Sequence, residues 1–368
     1  MDCVQLAAAV GSASLLAGRK VSRSAAFPSK PQQAASITAA ASCRQSTEGE
    51  HHRGSKLPGH GRFVGRPRIE RLRSWGSSWM VSGVTPSPRR PLWLLPNLLS
   101  LDAPLVAVAW LYMLAKTWGV NYHPEHEYVV LGLVVWVLYV TDRLLDAAVL
   151  GDSPRCQERH RFHRRHWRKF VGGAVVAGVT AVGLVLSQSP MAVFNYLLVE
   201  AFLVAGFFAL AVFAPPGNDL PYAKNILGGL AFAFGTAMVA HVYLYDKRIV
   251  DLLLWSREFK AFAVLCILNI SAIDLWEHAN RSDDVEVKAQ DELALTLPLT
   301  LLGGAALFFA AQNEDQGSRP FFYAILTGAA LLHVVNRMRA RFSMEVLRVL
   351  ADVALVAPIL VFLAFFDS

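Results

Sequence analysis

Asp142, Arg143 and Asp146 stand together in "YVTDRLLDA", residues 139–147, closing a mostly apolar run that starts near Glu127. In a helix Asp142 and Asp146, four residues apart, project from one face. Like charges at that spacing repel, and a charge at membrane depth costs from about 2.5 kcal/mol upward. Arg143 points elsewhere around the helix and does not pair obviously with both. A divalent ion answers the cost, because Mg²⁺ takes one or two carboxylates and completes its octahedron with water and phosphate oxygens. The competing reading is a helix end at which both acids face water.

A second polar face occurs in "ILNISAIDLWEHAN", where Asp274, Glu277 and His278 fall at i, i+3 and i+4. Two acidic clusters at one membrane surface suit a diphosphate held by bridging metals, which would neutralise the leaving pyrophosphate. His278 equally reads as a solvated loop residue.

The elements that must carry these residues are membrane helices. Of 368 residues, 54% are hydrophobic, mean hydropathy is +0.37, and the apolar residues come in long runs. A hydrocarbon core about 30 Å thick needs roughly 20 helical residues to cross. Nine such stretches are expected, at about 95–118, 126–150, 170–187, 190–213, 223–243, 258–278, 292–312, 321–337 and 346–366. No alternating pattern suggests a barrel, so the predicted class is an all-α, polytopic membrane protein with nine transmembrane helices. Loop charges orient it. The loops after the second, fourth, sixth and eighth stretches hold fourteen Lys and Arg, including Arg159, Arg161, Lys224, Arg281 and Arg348, against six on the other side.

Residues 1–90 differ in composition, being rich in Ser, Ala and Gln with fourteen Lys and Arg against four acids. They read as an organelle transit peptide preceding a membrane domain over 91–368, with a plastid preferred and the mitochondrial inner membrane second. The basic balance belongs to this leader and gives no argument for nucleic acid as a partner. Cys3, Cys43, Cys156 and Cys266 show neither a disulfide framework nor zinc spacing.

With nine helices and acidic motifs closing the second and sixth, the chain resembles the UbiA family of intramembrane prenyltransferases. That family's first motif, N-x-x-x-D-R-x-x-D before a basic loop, corresponds to "LYVTDRLLD" followed by "RCQERHRFHRRHW". Asp142, Arg143 and Asp146 match, and Leu138 stands at the Asn position. The second motif, D-x-x-x-D, becomes Asp274 to His278, with Glu277 as a substitute carboxylate. Tyr222 and Lys224, with Asn225 beside them, match a looser pattern before the fifth helix. The resemblance covers about residues 92–368. It implies a UbiA-like bundle whose central cavity opens sideways to lipid, with Asp142, Asp146, Asp274 and Glu277 holding Mg²⁺. Arg143, Arg159, Arg161, Tyr222, Lys224 and Asn225 would hold a polyprenyl diphosphate, and an aromatic or other hydrophobic acceptor would capture the prenyl group. A terpene cyclase of the same superfamily, and a non-catalytic lipid-binding or assembly protein, are the rival readings.

Other polar residues carry weaker expectations. Asp102 either joins the substrate site or caps its helix, and Asp352 pairs with Arg348 one turn earlier. Glu200, mid-span with Asn195 nearby, either bonds another helix or lines an acceptor pocket. His160, His163 and His166 lie among arginines that would repel a metal, so that segment reads as a phosphate- or lipid-facing loop; the forks of Arg159 and Arg161 are its better phosphate contacts. Gly228, Gly229 and Gly235 read as close-packing positions.

Overall fold

Within hydrocarbon every backbone N–H and C=O must be paired by the chain itself, so long apolar runs become helices. The computed structural model describes residues 92–120, 123–150, 158–213, 220–244, 249–312 and 318–366. The leader expected over 1–90 lies outside the described residues. Among the described residues all regular structure is helical.

A short α1 (Leu95–Leu98) leads into α2 (Asp102–Thr117), α3 (Glu125–Leu150) and the basic α4 (Glu158–Arg165). There follow α5 (Trp167–Gln188), α6 (Val193–Phe213), α7 (Leu220–His241) and the short α8 (Val250–Trp255). The rest comprises α9 (Arg257–Arg281), α10 (Val285–Gln312), α11 (Arg319–Met338), α12 (Met344–Val356) and α13 (Pro358–Phe366).

Among the described residues eight helical stretches are long and apolar enough to cross a membrane, counting α12 and α13 as one stretch broken before Pro358. This is an integral membrane protein. The expected count of nine is not confirmed among the described residues, and the difference lies in the first stretch. There the chain breaks at Ser100, whose φ is 56°, and resumes in the 16-residue α2. At 1.5 Å per residue α2 is about 24 Å long, short of a roughly 30 Å core.

The bundle is organised around α9, which packs on α7, α10, α11 and α12. Its apolar stretch is 78% buried, against 11% for α6. Trp110 of α2 locks the centre: its ring stacks on Phe262 at 4.5 Å, meets Phe321 edge-on at 5.6 Å, and its Nε1–H donates to the Leu355 carbonyl at 2.8 Å. By contrast, α5 packs on α3 and α6 packs on α7, while α5 and α6 scarcely touch each other. The hairpin at Ser189–Pro190 is therefore splayed.

The close approach of α7 to α9 depends on Gly229. A Cβ there would lie 2.6 Å from Ile267 Cγ1 and 2.7 Å from that residue's backbone N and Cα. Backbone cannot swing aside as a side-chain tip can. Gly229→Ala is expected to cost about 1–3 kcal/mol as overpacking, read as a lowered thermal-unfolding midpoint in detergent. An unchanged midpoint would count against this close packing.

Candidate functional site at one end of the bundle cavity

A cavity of about 300 Å³ runs through the bundle among α2, α3, α6, α7, α9 and α12. On α3 its wall is a helical stripe: Glu127, Val130, Leu131, Val134, Val135, Leu138, Tyr139, Asp142, Arg143 and Asp146. The i, i+3, i+4 spacing that puts Asp142 and Asp146 on one face also makes the wall beneath them hydrocarbon. Leu138, one turn below Asp142, offers no oxygen to a metal.

The charged residues meet at the end of the cavity where α3 and α9 finish and α7 and α12 begin. Lys224 Nζ lies 3.5 Å from Asp142 Oδ1 and 5.0 Å from the Phe207 ring centroid. Asn225 Nδ2 donates to Asp274 Oδ2 at 2.8 Å. Asn97 Nδ2 donates to Asp102 Oδ2 at 2.7 Å, and Asp352 is hydrogen-bonded to Asp102 in turn. Arg143 lies over Tyr139, 5.9 Å from its centroid. Arg159 and Arg348 complete the mouth, and the Nε of each is buried without a hydrogen-bond partner among the described residues. A buried guanidinium N–H with no acceptor costs free energy unless an anion fills the place, and Arg forks match phosphate oxygens.

His163 fixes the helix that presents Arg159. Its ring is fully buried and stacks on Phe170 at 4.2 Å. Nδ1–H donates to the Arg159 carbonyl at 2.9 Å, and Nε2 faces Ser100 Oγ at 3.4 Å. Burial pushes its pKa down to about 4, so it is neutral at physiological pH and adds no charge to the mouth. The histidine expected in a phosphate- or lipid-facing loop is thus a buried structural one.

Several expected site residues take other positions. Arg161 is exposed and off the cavity wall, because it projects from the opposite side of α4 to Arg159 and His163. Tyr222 packs against the hydrophobic core and is likewise absent from the wall. Glu277 is held by two arginines. Arg281 Nη2 donates to its Oε2 at 2.7 Å, and Arg348 Nη2 donates to its Oε1. Both oxygens accept from guanidinium groups, and Glu277 is off the cavity wall. Arg348 accordingly pairs with Glu277 and not with Asp352. His278, at the position of the second motif's last acid, bonds Asp291 Oδ2 at 2.7 Å on α10. Among the described residues no group of three or more His, Cys, Asp or Glu gathers as a metal site.

No family model matches this chain, and no curated protein or solved structure matches it either.

Sequence reasoning missed four wall residues. Asp352 was assigned to an ion pair on its own helix, and Arg348 was counted only as a loop charge. Both recur at helical spacing within an apolar run, which is the available signal. Asn269 stands five residues before Asp274 on the same helix. Glu127, at the far end of the cavity, is 3% exposed and accepts from Tyr243 Oη at 2.7 Å and Ser189 Oγ at 2.9 Å. It ties the splayed hairpin to the bundle.

Proposed function

We propose that this chain is an intramembrane prenyltransferase, moving a polyprenyl group from its diphosphate to a hydrophobic or aromatic acceptor with Mg²⁺. The observation that carries the reading is the joining of an apolar cavity to a mouth where Asp142 and Asp146 face Arg143, Arg159, Lys224 and Arg348. A diphosphate needs the cations, and a polyprenyl tail needs the hydrocarbon wall.

The donor set fits Mg²⁺. Two carboxylates from one helix face suffice when phosphate oxygens and water supply the remaining positions, so the absence of a third protein ligand among the described residues is no obstacle. Asp142 and Asp146 would hold the ion, with Asp274 across the mouth. When bound, Mg²⁺ neutralises charge developing on the leaving pyrophosphate. The chain's own residues do the rest. The free Nε–H groups of Arg159 and Arg348 bond phosphate oxygens, and Lys224 shifts between Asp142 and phosphate. The C1–O bond breaks with its electron pair on pyrophosphate, the acceptor bonds to C1, and the acceptor loses a proton. Tyr139, Phe207 and Phe232 line the cavity just below the mouth, where aromatic faces attract a developing allylic cation.

The test is release of pyrophosphate from labelled geranylgeranyl diphosphate by the protein in membranes, with and without Mg²⁺ and aromatic acceptors. Mg²⁺-dependent release that requires an acceptor supports transfer, whereas release without one points to a cyclase. The loss of Glu277 to Arg281 and Arg348 favours a further reading, a protein that binds the lipid diphosphate without turning it over. Donor binding with no release under any condition would establish that reading. The leader over residues 1–90 supports a plastid membrane as the compartment.

A further inference from the structure

Halfway down the cavity the hydrocarbon wall is interrupted by a hydrogen-bond acceptor with nothing to accept from among the described residues. Glu200 of α6 has Oε2 buried and unpartnered. The residue lines the cavity. Gly235 on α7 makes room for the carboxyl group: a Cβ there would sit 3.1 Å from Glu200 Oε1. A carboxyl at mid-membrane depth costs several kcal/mol and belongs to a site more often than to scaffolding. The atom is not satisfied by the bundle, so it is not explained as an interhelical contact.

We propose that Glu200 forms a subsite that accepts a hydrogen bond from a hydroxyl group on the acceptor, and that this subsite selects neutral hydroxyarenes over carboxylated ones. The inference rests on the transferase reading for the word acceptor. Depth supports it. Phe207 marks the level just beneath the charged mouth, because Lys224 lies over its ring. Glu200 precedes Phe207 by seven residues on the same helix, which places it roughly 10 Å deeper. That leaves space for a reacting carbon and one aromatic ring, with the ring's far substituent at Glu200. A hydroxyl there donates to the orphaned Glu200 oxygen. A methyl ether in the same place has no hydrogen to give and leaves it unpaired, and a carboxylate meets the like charge of the Glu200 carboxylate.

The test measures binding and needs no turnover. Tritiated 4-octylphenol is bound to the purified protein in lipid nanodiscs and displaced with unlabelled 4-octylphenol, 4-octylanisole or 4-octylbenzoate. The anisole and the benzoate are expected to require at least about tenfold higher concentration than the phenol, the factor that one charge-assisted hydrogen bond supplies. Glu200→Leu is expected to bring phenol and anisole within about twofold, with an unfolding midpoint no lower than wild type. A purely structural Glu200 would lower the midpoint and leave the ratio alone. If Glu200→Leu fails to fold, Glu200→Gln keeps the volume and is expected to relax the rejection of benzoate.

Equal displacement by phenol and anisole in wild type overturns the subsite, as does a hydroxyl preference that survives Glu200→Leu or a benzoate rejection that survives Glu200→Gln. Selective binding that depends on Glu200, in a protein that never releases pyrophosphate, keeps the subsite and sinks the transferase. Release without hydroxyl selectivity does the reverse.

Discussion

Asp142→Asn and Asp146→Asn each lower Mg²⁺-dependent pyrophosphate release by about 10²–10³-fold, the loss expected when one preorganised electrostatic contact to the reacting groups is removed. The substitution keeps the side chain's shape and removes its charge. It also relieves repulsion between two acids one turn apart on the same face, so at Asp146 folding stability holds or rises. This opposition of signs separates the site from the scaffold, since a structural carboxylate would lose activity and stability together. Asp142→Asn has a second consequence, because Lys224, 3.5 Å away, loses its partner. The lysine is then free for phosphate, and affinity for inorganic pyrophosphate measured without metal is expected to be kept. Release at wild-type rates by the doubly neutralised protein would rule out carboxylate-held metal as the driver.

Glu277→Leu unfolds far more easily than wild type, by about 3–5 kcal/mol. The cause lies with its partner. Arg348 is 4% exposed and forms its ion pair with Glu277, so removing the acid strands a buried guanidinium. Arg281, the other partner, is more than half exposed at 55%, and its loss of contact adds little. Combining Glu277→Leu with Arg348→Met removes both charges and is expected to recover most of the stability, because an apolar pair of similar volume is often neutral to fold. Thermal unfolding of the three variants in one detergent settles the cycle. A Glu277→Leu protein of normal stability but raised Mg²⁺ requirement would instead return Glu277 to the metal.

The helical class and most span boundaries were legible because hydrocarbon leaves the backbone no alternative. The run beginning at Leu95 misled for a local reason: average hydropathy over 95–118 is blind to the left-handed turn at Ser100. At the site, spacing within a helix carried over well. Asp142 and Asp146 share the wall as their register requires, Arg143 joins them there although its register turns it away from their face, and the parity of the spans brings Lys224, Asn225 and Asp274 to the same end. Relations between helices were not legible. Glu277 sits on the same helix as Asp274, yet its partner Arg348 arrives from α12, seventy-one residues on. Asp352 faces Asp102 across the mouth for the same reason. Arg161 was two residues from a correct choice, which on a helix is the other side.

The splayed hairpin has a consequence for how the cavity is enclosed. Helix α5 reaches the cavity wall only at Val185, one turn from the Ser189 corner, while α6 contributes along its length. Between them, where the two helices scarcely touch, the surrounding hydrocarbon would complete the boundary. That part of the container is solvent, exchanged whenever the solvent is exchanged. Chain length and order of the surrounding lipid thereby enter the affinity for any occupant as composition variables, on the same footing as a side chain.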